Sequence, residues 1–90
     1  MRILQSRSFN NAVKRLHANQ KRDLDEAVRA IAADPVIGEA KVGDLAGVRV
    51  FKFKMTHQLT LLAYEYEEAG DVLKLLALGS HENFYRDLKR

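Results

Sequence analysis

Three apolar segments in the second half of the chain, VRVFKFKM, QLTLLAYEY and VLKLLALG, limit the fold more than any other feature. In the first segment Phe51, Phe53 and Met55 alternate with Lys52 and Lys54, which is the period of a β-strand. The second segment alternates too, and the two residues TH between them fit a tight hairpin turn. The third is apolar nearly throughout, as expected of a central strand covered on both faces. These segments predict an antiparallel sheet.

The first half of the chain has a helical period instead. Two stretches place apolar residues at helical spacing: Phe9, Val13 and Leu16 in the first, and Leu24, Ala27, Val28 and Ile31 in the second. Asp34-Pro35 ends the second stretch, because the residue before a proline is pushed out of the helical region. With MRILQ as a first strand and SHENFYRDLKR as a terminal helix, the order is β-α-α-β-β-β-α. We therefore predict an α+β fold, a small antiparallel sheet with a helical hairpin on one face.

Length and composition restrict the kind of protein. We expect 90 residues to form a single domain, 1–90. There is no cysteine, and His17, His57 and His81 lack the spacing of metal ligands, so we expect no metal and no cofactor. No apolar run is long enough to span a bilayer, which favours a soluble, cytoplasmic protein without a membrane partner. The net charge of +3 favours an anionic partner.

Lys52 and Lys54 are the first candidates for function. Alternation places both side chains on one sheet face, about 7 Å apart. Two ammonium groups at this spacing can bind the phosphates of a nucleic-acid backbone. The alternative is an ordinary solvated face, where lysines are common.

The residues after the last strand are the second group of candidates. His81 follows that strand, where a rigid sheet can present a titratable imidazole, or it caps the terminal helix. Tyr85 lies four residues later, where it can stack on a base or simply pin the helix. Other basic residues can form a cationic concavity with the lysines or be ordinary surface and helix-end charges: Arg49, Arg86, Lys89 and Arg90. A second basic cluster on the helical hairpin can contact structured RNA away from the site or be a solvated helix face: Lys14, Arg15, Lys21 and Arg22.

Two stretches of the chain resemble a known family. VIGEAKVGDLAGVRVFKFK resembles the connector and basic strand of the RelE/ParE superfamily, the toxins of bacterial type II toxin–antitoxin modules. LLALGSHENFYRDLKR resembles its last strand and C-terminal segment, most closely in the ParE-like toxin subgroup. The resemblance covers nearly the whole length, and it implies the α+β fold above and a cognate antitoxin as a partner.

The RelE-like branch of this superfamily implies a function. Its members are metal-independent mRNA endoribonucleases (mRNA interferases) that act on mRNA in the ribosome, through attack of a ribose 2′-hydroxyl that leaves a 2′,3′-cyclic phosphate. The resemblance assigns His81 as general acid or base, Lys52 and Lys54 as phosphate contacts in the transition state, and Tyr85 as the residue that stacks on or orients the substrate. Phosphate or RNA contacts are expected from the remaining basic residues Arg49, Arg86, Lys89 and Arg90.

One departure from the family pattern supports a different function. Many RelE-like enzymes carry an arginine in the strand that corresponds to QLTLLAYEY, and here that strand contains no basic residue. Arg86 can replace it from the terminal helix. The alternative is a ParE-like toxin that inhibits DNA gyrase by binding and cleaves no nucleic acid.

Overall fold

The computed structural model describes residues 1–80, 84, 85 and 88. Its elements follow in this order: β1 (Arg2–Gln5), α1 (Arg7–Lys14), α2 (Ala18–Ala33), β2 (Glu39–Ala40), a 3-10 turn (Gly43–Leu45), β3 (Arg49–Met55), β4 (Gln58–Glu67) and β5 (Val72–Gly79). Phe84, Tyr85 and Leu88 are helical, in the region where the sequence predicts a terminal helix. The α+β architecture is therefore confirmed.

Local hydrogen bonds explain where the two helices begin and end. The Ser6 hydroxyl accepts a hydrogen bond from the Phe9 amide and donates one to the Leu76 carbonyl, so it caps α1 and ties the helix to β5. At the start of α2 the His17 amide donates to the Gln20 side chain at 2.8 Å. The helix ends at Ala33, before Pro35, as the sequence predicts.

The sheet is mixed, not purely antiparallel, which corrects one detail of the predicted fold. The strand order is β1-β5-β4-β3-β2, and β1 pairs with β5 in parallel. The other pairs are antiparallel, and β3 joins β4 through a turn in which Thr56 and His57 have positive φ values. β1 and β2 are the two edges of the sheet, so α1 and α2 carry the chain from one edge to the other, and β3, β4 and β5 then follow one another back to β1.

Each face of the sheet carries its own apolar cluster. Side chains from α1, α2, β3, β4 and β5 form the larger cluster, with Phe9, Leu24, Ile31, Leu62, Tyr64 and Leu73 among its buried members. A smaller cluster lies on the opposite face and contains Val48, Val50, Leu61, Ala63, Ala77 and Phe84. The helical hairpin therefore covers one face, and the terminal segment covers part of the other.

No helix in the described part of the chain combines the length and the apolar character needed to cross a membrane.

Candidate nucleic-acid interface

Lys52 and Lys54 lie on the sheet face that the helical hairpin leaves open. Both side chains are exposed, whereas Phe51 and Phe53 pack against the helix-side cluster, which confirms the predicted division of β3 into two faces. Every residue of β3 is paired with β4, so the backbone that carries the lysines is held rigidly. Two residues along a strand are about 7 Å apart, so the two ammonium groups start from neighbouring, fixed positions.

The neighbours of these lysines are apolar. In the register of β3 and β4, Lys52 lies opposite Leu61 and Lys54 lies opposite Leu59. Leu59 is 42% exposed, while Leu61 is fully buried. The lysines therefore border an apolar floor, and this surface offers cations for phosphate groups beside carbon surface for sugars or bases.

The terminal segment lies on this same face. Phe84 is 3% exposed and packs in the cluster of Val50, Leu61 and Ala77. Its ring closely approaches the backbone of Gly79, where an added Cβ would lie 3.7 Å from a ring carbon. Phe84 therefore has the core role that its apolar character suggests. His81, Arg86, Lys89 and Arg90 lie outside the described residues, and their expected roles stay predictions.

The structure places Tyr85 beside Lys41, a residue that the sequence analysis missed. The Lys41 ammonium lies 5.1 Å from the centre of the Tyr85 ring, within the range of a cation–π contact. Hydrogen bonding with the Tyr85 side chain is the main cause that raises the pKa of Lys41 above its usual value. Phe84 packs edge-to-face on Tyr85 with ring centres 5.2 Å apart.

Lys41 is held by the connector between α2 and β3. Its backbone amide donates to the Val48 carbonyl at 2.9 Å, which extends the short pairing of β2 with β3. Its ammonium forms an ion pair with the Glu39 carboxylate at 3.3 Å. The connector has no hydrophobic period, so no pattern in the sequence pointed to Lys41 beyond its charge.

A cavity of about 340 Å³ lies between the connector and Tyr85. Its walls include Glu39, Lys41, Val42, Leu45 and Tyr85. Val42 is 86% exposed, which is unusual for a valine and leaves an apolar edge at the mouth of the cavity.

Arg49 does not join Lys52 and Lys54 in one concavity. It lies on the other face, where its guanidinium donates to the carbonyl oxygens of Val36 at 3.2 Å and Gly38 at 2.8 Å. Alternation along β3 predicts this placement, because Arg49 lies two residues before Phe51 and therefore on the same face of the sheet. A phosphate contact by Arg49 stays a prediction.

The buried hydroxyl of Tyr64 completes the attachment of the connector. It donates to the Pro35 carbonyl at 2.7 Å and accepts from the Gly38 amide at 2.9 Å. Burial of this side chain is the main cause that raises the pKa of Tyr64 above its usual value. Together with Arg49, Tyr64 fixes residues 35–38, and so the point from which the connector crosses to the lysine face.

The basic residues of the helical hairpin form a separate surface. Lys14, Arg15, Lys21 and Arg22 are all exposed around the junction of α1 with α2. The first 22 residues of the chain contain six lysines and arginines and no acidic residue, whereas the remainder has a net charge of −3. Positive charge is therefore concentrated at the hairpin, apart from the lysines of β3.

Histidines and carboxylates are scattered in the structure. His17 lies at the start of α2 and His57 in the turn between β3 and β4. Within residues 1–80 and the described residues 84, 85 and 88, no three such side chains are grouped as ligands for a metal ion.

The fold is similar to those of several solved bacterial toxins. The chain superposes on the toxin–antitoxin complex RelBE of E. coli with a TM-score of 0.73 and 14% identity, over 90% of this chain and 96% of the other. For isolated E. coli RelE the TM-score is 0.70 at 15% identity, over 90% of this chain and 84% of the other. A YoeB/ParE toxin from Agrobacterium tumefaciens gives 0.70 at 19% identity, over 90% and 99% of the two chains.

Sequence comparison identifies the family. No curated protein matches the chain. A family model described as the ParE-like toxin of type II bacterial toxin–antitoxin systems matches residues 3–89, nearly the whole sequence. Together with the shared fold, this match shows that the chain belongs to the ParE-like toxins of bacterial type II toxin–antitoxin systems.

Proposed function

We propose that this toxin is a metal-independent endoribonuclease that cleaves mRNA in the ribosome, in the cytoplasm, and so arrests translation. The observation that carries the proposal is the pair Lys52 and Lys54, fixed side by side on the open sheet face. Phe84 packs onto this same face. We infer that His81, three residues before Phe84, supplies a titratable group near these cations.

The proposed reaction needs three kinds of group. The ribose 2′-oxygen attacks the adjacent phosphorus, the bond from phosphorus to the 5′-oxygen breaks, and the products are a 2′,3′-cyclic phosphate and a 5′-hydroxyl. A base accepts the 2′-hydroxyl proton, an acid protonates the 5′-oxygen, and cations stabilise the charge that develops on the phosphoryl oxygens. We assign the first or second role to His81 and the third to Lys52 and Lys54.

The position of Tyr85 adds support for a nucleic-acid substrate. Its ring lies at the same sheet face as the lysines, and aromatic rings beside cations are typical of surfaces that bind single-stranded RNA. The hairpin residues Lys14, Arg15, Lys21 and Arg22 provide a second cationic surface for the structured RNA of the ribosome.

A cognate antitoxin is the expected protein partner. The E. coli RelE structures include complexes with the antitoxin RelB and with a RelB peptide. In the present chain β1 lies at the edge of the sheet, with Ile3 43% and Leu4 42% exposed. An edge strand with exposed apolar side chains can pair with a strand of another chain, so we infer that a segment of the antitoxin binds along β1.

The second candidate function is inhibition of DNA gyrase by binding alone. The observation that favours it is β4, whose side chains beside the lysines are Leu59, Leu61 and Ala63, with no arginine or lysine in the strand. A phosphorane intermediate would receive no cation from this strand. The ParE-like family match is compatible with this alternative.

Primer extension on translating ribosomes distinguishes the two candidates. Purified toxin is added to ribosomes that carry a defined mRNA, and new 5′ ends are mapped. We expect cuts within the codon in the ribosomal A site, which disappear in His81→Asn and persist in His57→Asn. The control changes an exposed turn histidine, and asparagine tolerates its positive φ.

Intact mRNA with a preparation that still arrests growth would overturn the nuclease proposal. A DNA-damage response and filamentous cells on expression would then support gyrase inhibition.

A further inference from the structure

We propose that a groove between α1 and the end of β5 is a second phosphate-binding site, which holds the backbone of a single-stranded RNA beside the site at Lys52 and Lys54. The inference rests on the proposed function, because it extends the path of the same RNA across the protein. It also gives α1, which takes no part in the proposed reaction, a direct role in substrate binding.

The end of β5 leaves space for such a groove. The pairing of β1 with β5 stops at Leu75, and β4 is the only described strand beside Leu78 and Gly79. Along this stretch α1 takes the place of β1, because the Ser6 hydroxyl at its start donates to the Leu76 carbonyl at 2.6 Å. A cavity of about 450 Å³ lies between α1 and Leu78.

The polar side chains of this cavity suit a phosphate backbone. Arg7, Asn11 and Arg15 follow one another at a spacing of four residues, so they lie on one face of the helix. Ser8 lines the same cavity, and all four side chains are exposed. Guanidinium groups bind phosphate oxygens through paired hydrogen bonds, and amide and hydroxyl groups add further donors.

The positive charge of the groove is not neutralised. Among the described residues, neither the Arg7 nor the Arg15 guanidinium has an ion-pair or hydrogen-bond partner. None of the described residues that line the cavity is acidic. Eight residues of helix separate the two Cα atoms by about 12 Å, so the two guanidinium groups can contact different phosphates of one strand.

A second cavity continues the groove toward the proposed RNA site. Its volume is about 220 Å³, and it shares Arg15 and Leu78 with the first cavity. Its walls also include Gly79 and Ser80, and His81 is the next residue in the sequence. Arg15 therefore lies where the groove meets both the basic surface of the helical hairpin and the end of β5.

The register of the sheet connects this end of the groove to the lysines. Gly79 lies opposite Leu61, and Leu61 lies opposite Lys52. Neighbouring strands are about 4.8 Å apart, so the Cα atoms of Gly79 and Lys52 are about 10 Å apart. An RNA strand that passes the end of β5 can therefore contact Lys52 with one phosphate and Arg15 with another.

The shape of the groove favours a single strand over a duplex. It is bounded by one helix and one strand, which leaves room for one nucleic-acid chain. Leu16, Met55 and Leu78 add carbon surface to the wall of the second cavity, where unstacked bases or sugars can pack. A duplex keeps its bases stacked inside the helix, so it could offer only phosphates to this surface.

The test uses the full-length toxin and an RNA that cannot be cleaved. The probe is a pool of random 2′-O-methyl RNA dodecamers, because the methyl group removes the attacking 2′-hydroxyl. Binding is followed by NMR of the arginine Nε–H groups, with single arginine-to-glutamine variants to assign the resonances, and by fluorescence anisotropy at several salt concentrations. We expect the resonances of Arg7 and Arg15 to shift, while that of Arg29, exposed on α2, stays unchanged.

The variants separate this groove from a general effect of charge. We expect Arg7→Gln combined with Arg15→Gln to weaken binding of the dodecamer about tenfold. The slope of log Kd against log salt concentration should fall by about 1.4, because each phosphate contact with a single strand contributes about 0.7. Arg29→Gln is the matched control and should keep the wild-type affinity. Glutamine has nearly the helix propensity of arginine, so circular dichroism should show the same fold in all variants.

The length of the RNA tests whether one strand occupies both sites. A trinucleotide has too few phosphates to extend from the groove to the lysines, so the loss in the double variant should be much smaller with this probe than with the dodecamer. Equal losses with the two probes would overturn the inference, because the groove and the lysines would then bind RNA independently.

The outcomes keep this inference apart from the proposed function. If RNA leaves the Arg7 and Arg15 resonances unchanged, or if Arg29→Gln weakens binding equally, the inference is wrong even when the toxin cleaves mRNA. If the resonances shift and the double variant binds weakly but ribosome-bound mRNA stays intact, the inference stands and the nuclease proposal fails. Tighter binding of an RNA or DNA duplex than of the single strand through these arginines would also refute it, since the groove would then serve a double-stranded partner.

Discussion

The hydroxyl group of Tyr64 should contribute a large part of the stability of this small protein. Tyr64→Phe removes one oxygen atom and leaves the buried Gly38 amide without its acceptor and the Pro35 carbonyl without its donor. A buried amide without a partner costs about 1–3 kcal/mol, and the loss at the partly buried carbonyl adds about 1 kcal/mol. We therefore expect the free energy of unfolding to fall by about 2–4 kcal/mol.

Urea denaturation at neutral pH measures this effect directly. The urea midpoint should fall with an unchanged slope. In a thermal scan Tm should fall by at least about 8 °C, given about 4–8 °C per kcal/mol for a domain of this size. Tyr66→Phe is the matched control: Tyr66 lies on the same strand, its hydroxyl donates to the exposed Asp71, and we expect a much smaller loss of stability than in Tyr64→Phe. Equal stability losses in the two variants would refute the assignment of Tyr64 as the anchor of the connector.

Three further changes test other parts of the structure. Gly38→Ala would place a Cβ 2.7 Å from the Tyr64 hydroxyl oxygen, so unfolding in urea should show a loss of about 1–3 kcal/mol, and a neutral result would contradict the tight packing there. In Asp71, a hydrogen bond from a tyrosine hydroxyl is the main cause that lowers the pKa below 3.8. Its contribution to stability is therefore present above that value and disappears as the pH falls through the lower pKa of the folded state. Asp71→Asn and the wild type should thus differ in unfolding free energy at neutral pH and converge in strong acid, as urea titrations at several pH values will show. Lys52→Gln and Lys54→Gln should leave stability within about 0.5 kcal/mol yet abolish growth arrest on expression; a toxic double variant would exclude both lysines from the site.

Local sequence patterns were sufficient for the two faces of β3. Alternation reports only on neighbouring residues of one strand, and it placed Phe51 and Phe53 toward the helices and Lys52 and Lys54 toward the open face. The same rule applied to Arg49 would have assigned it to the helix face, where it binds the connector. The expectation that it joins the lysines came from counting charges without regard to alternation.

At the candidate site, the sequence predicted Tyr85 but not its partner Lys41. Tyr85 and Lys41 are far apart in the sequence, and neither belongs to a pattern that relates one to the other. Their contact depends on two separate placements, the packing of Phe84 on the open sheet face and the pairing of the connector with Val48. The sequence could therefore indicate Tyr85 as a candidate but could not identify the residue that holds it.

The sequence by itself determined the type and order of the main elements, the end of α2 before Pro35 and the side chains on each face of β3. These properties depend on backbone preferences and hydrophobic periods within a few residues. The tertiary structure decided that β1 pairs in parallel with β5, that Arg49 and Tyr64 anchor the connector, and that Lys41 meets Tyr85. Such contacts join distant parts of the chain, and they form when the apolar residues on both faces of the sheet are buried in the folded protein.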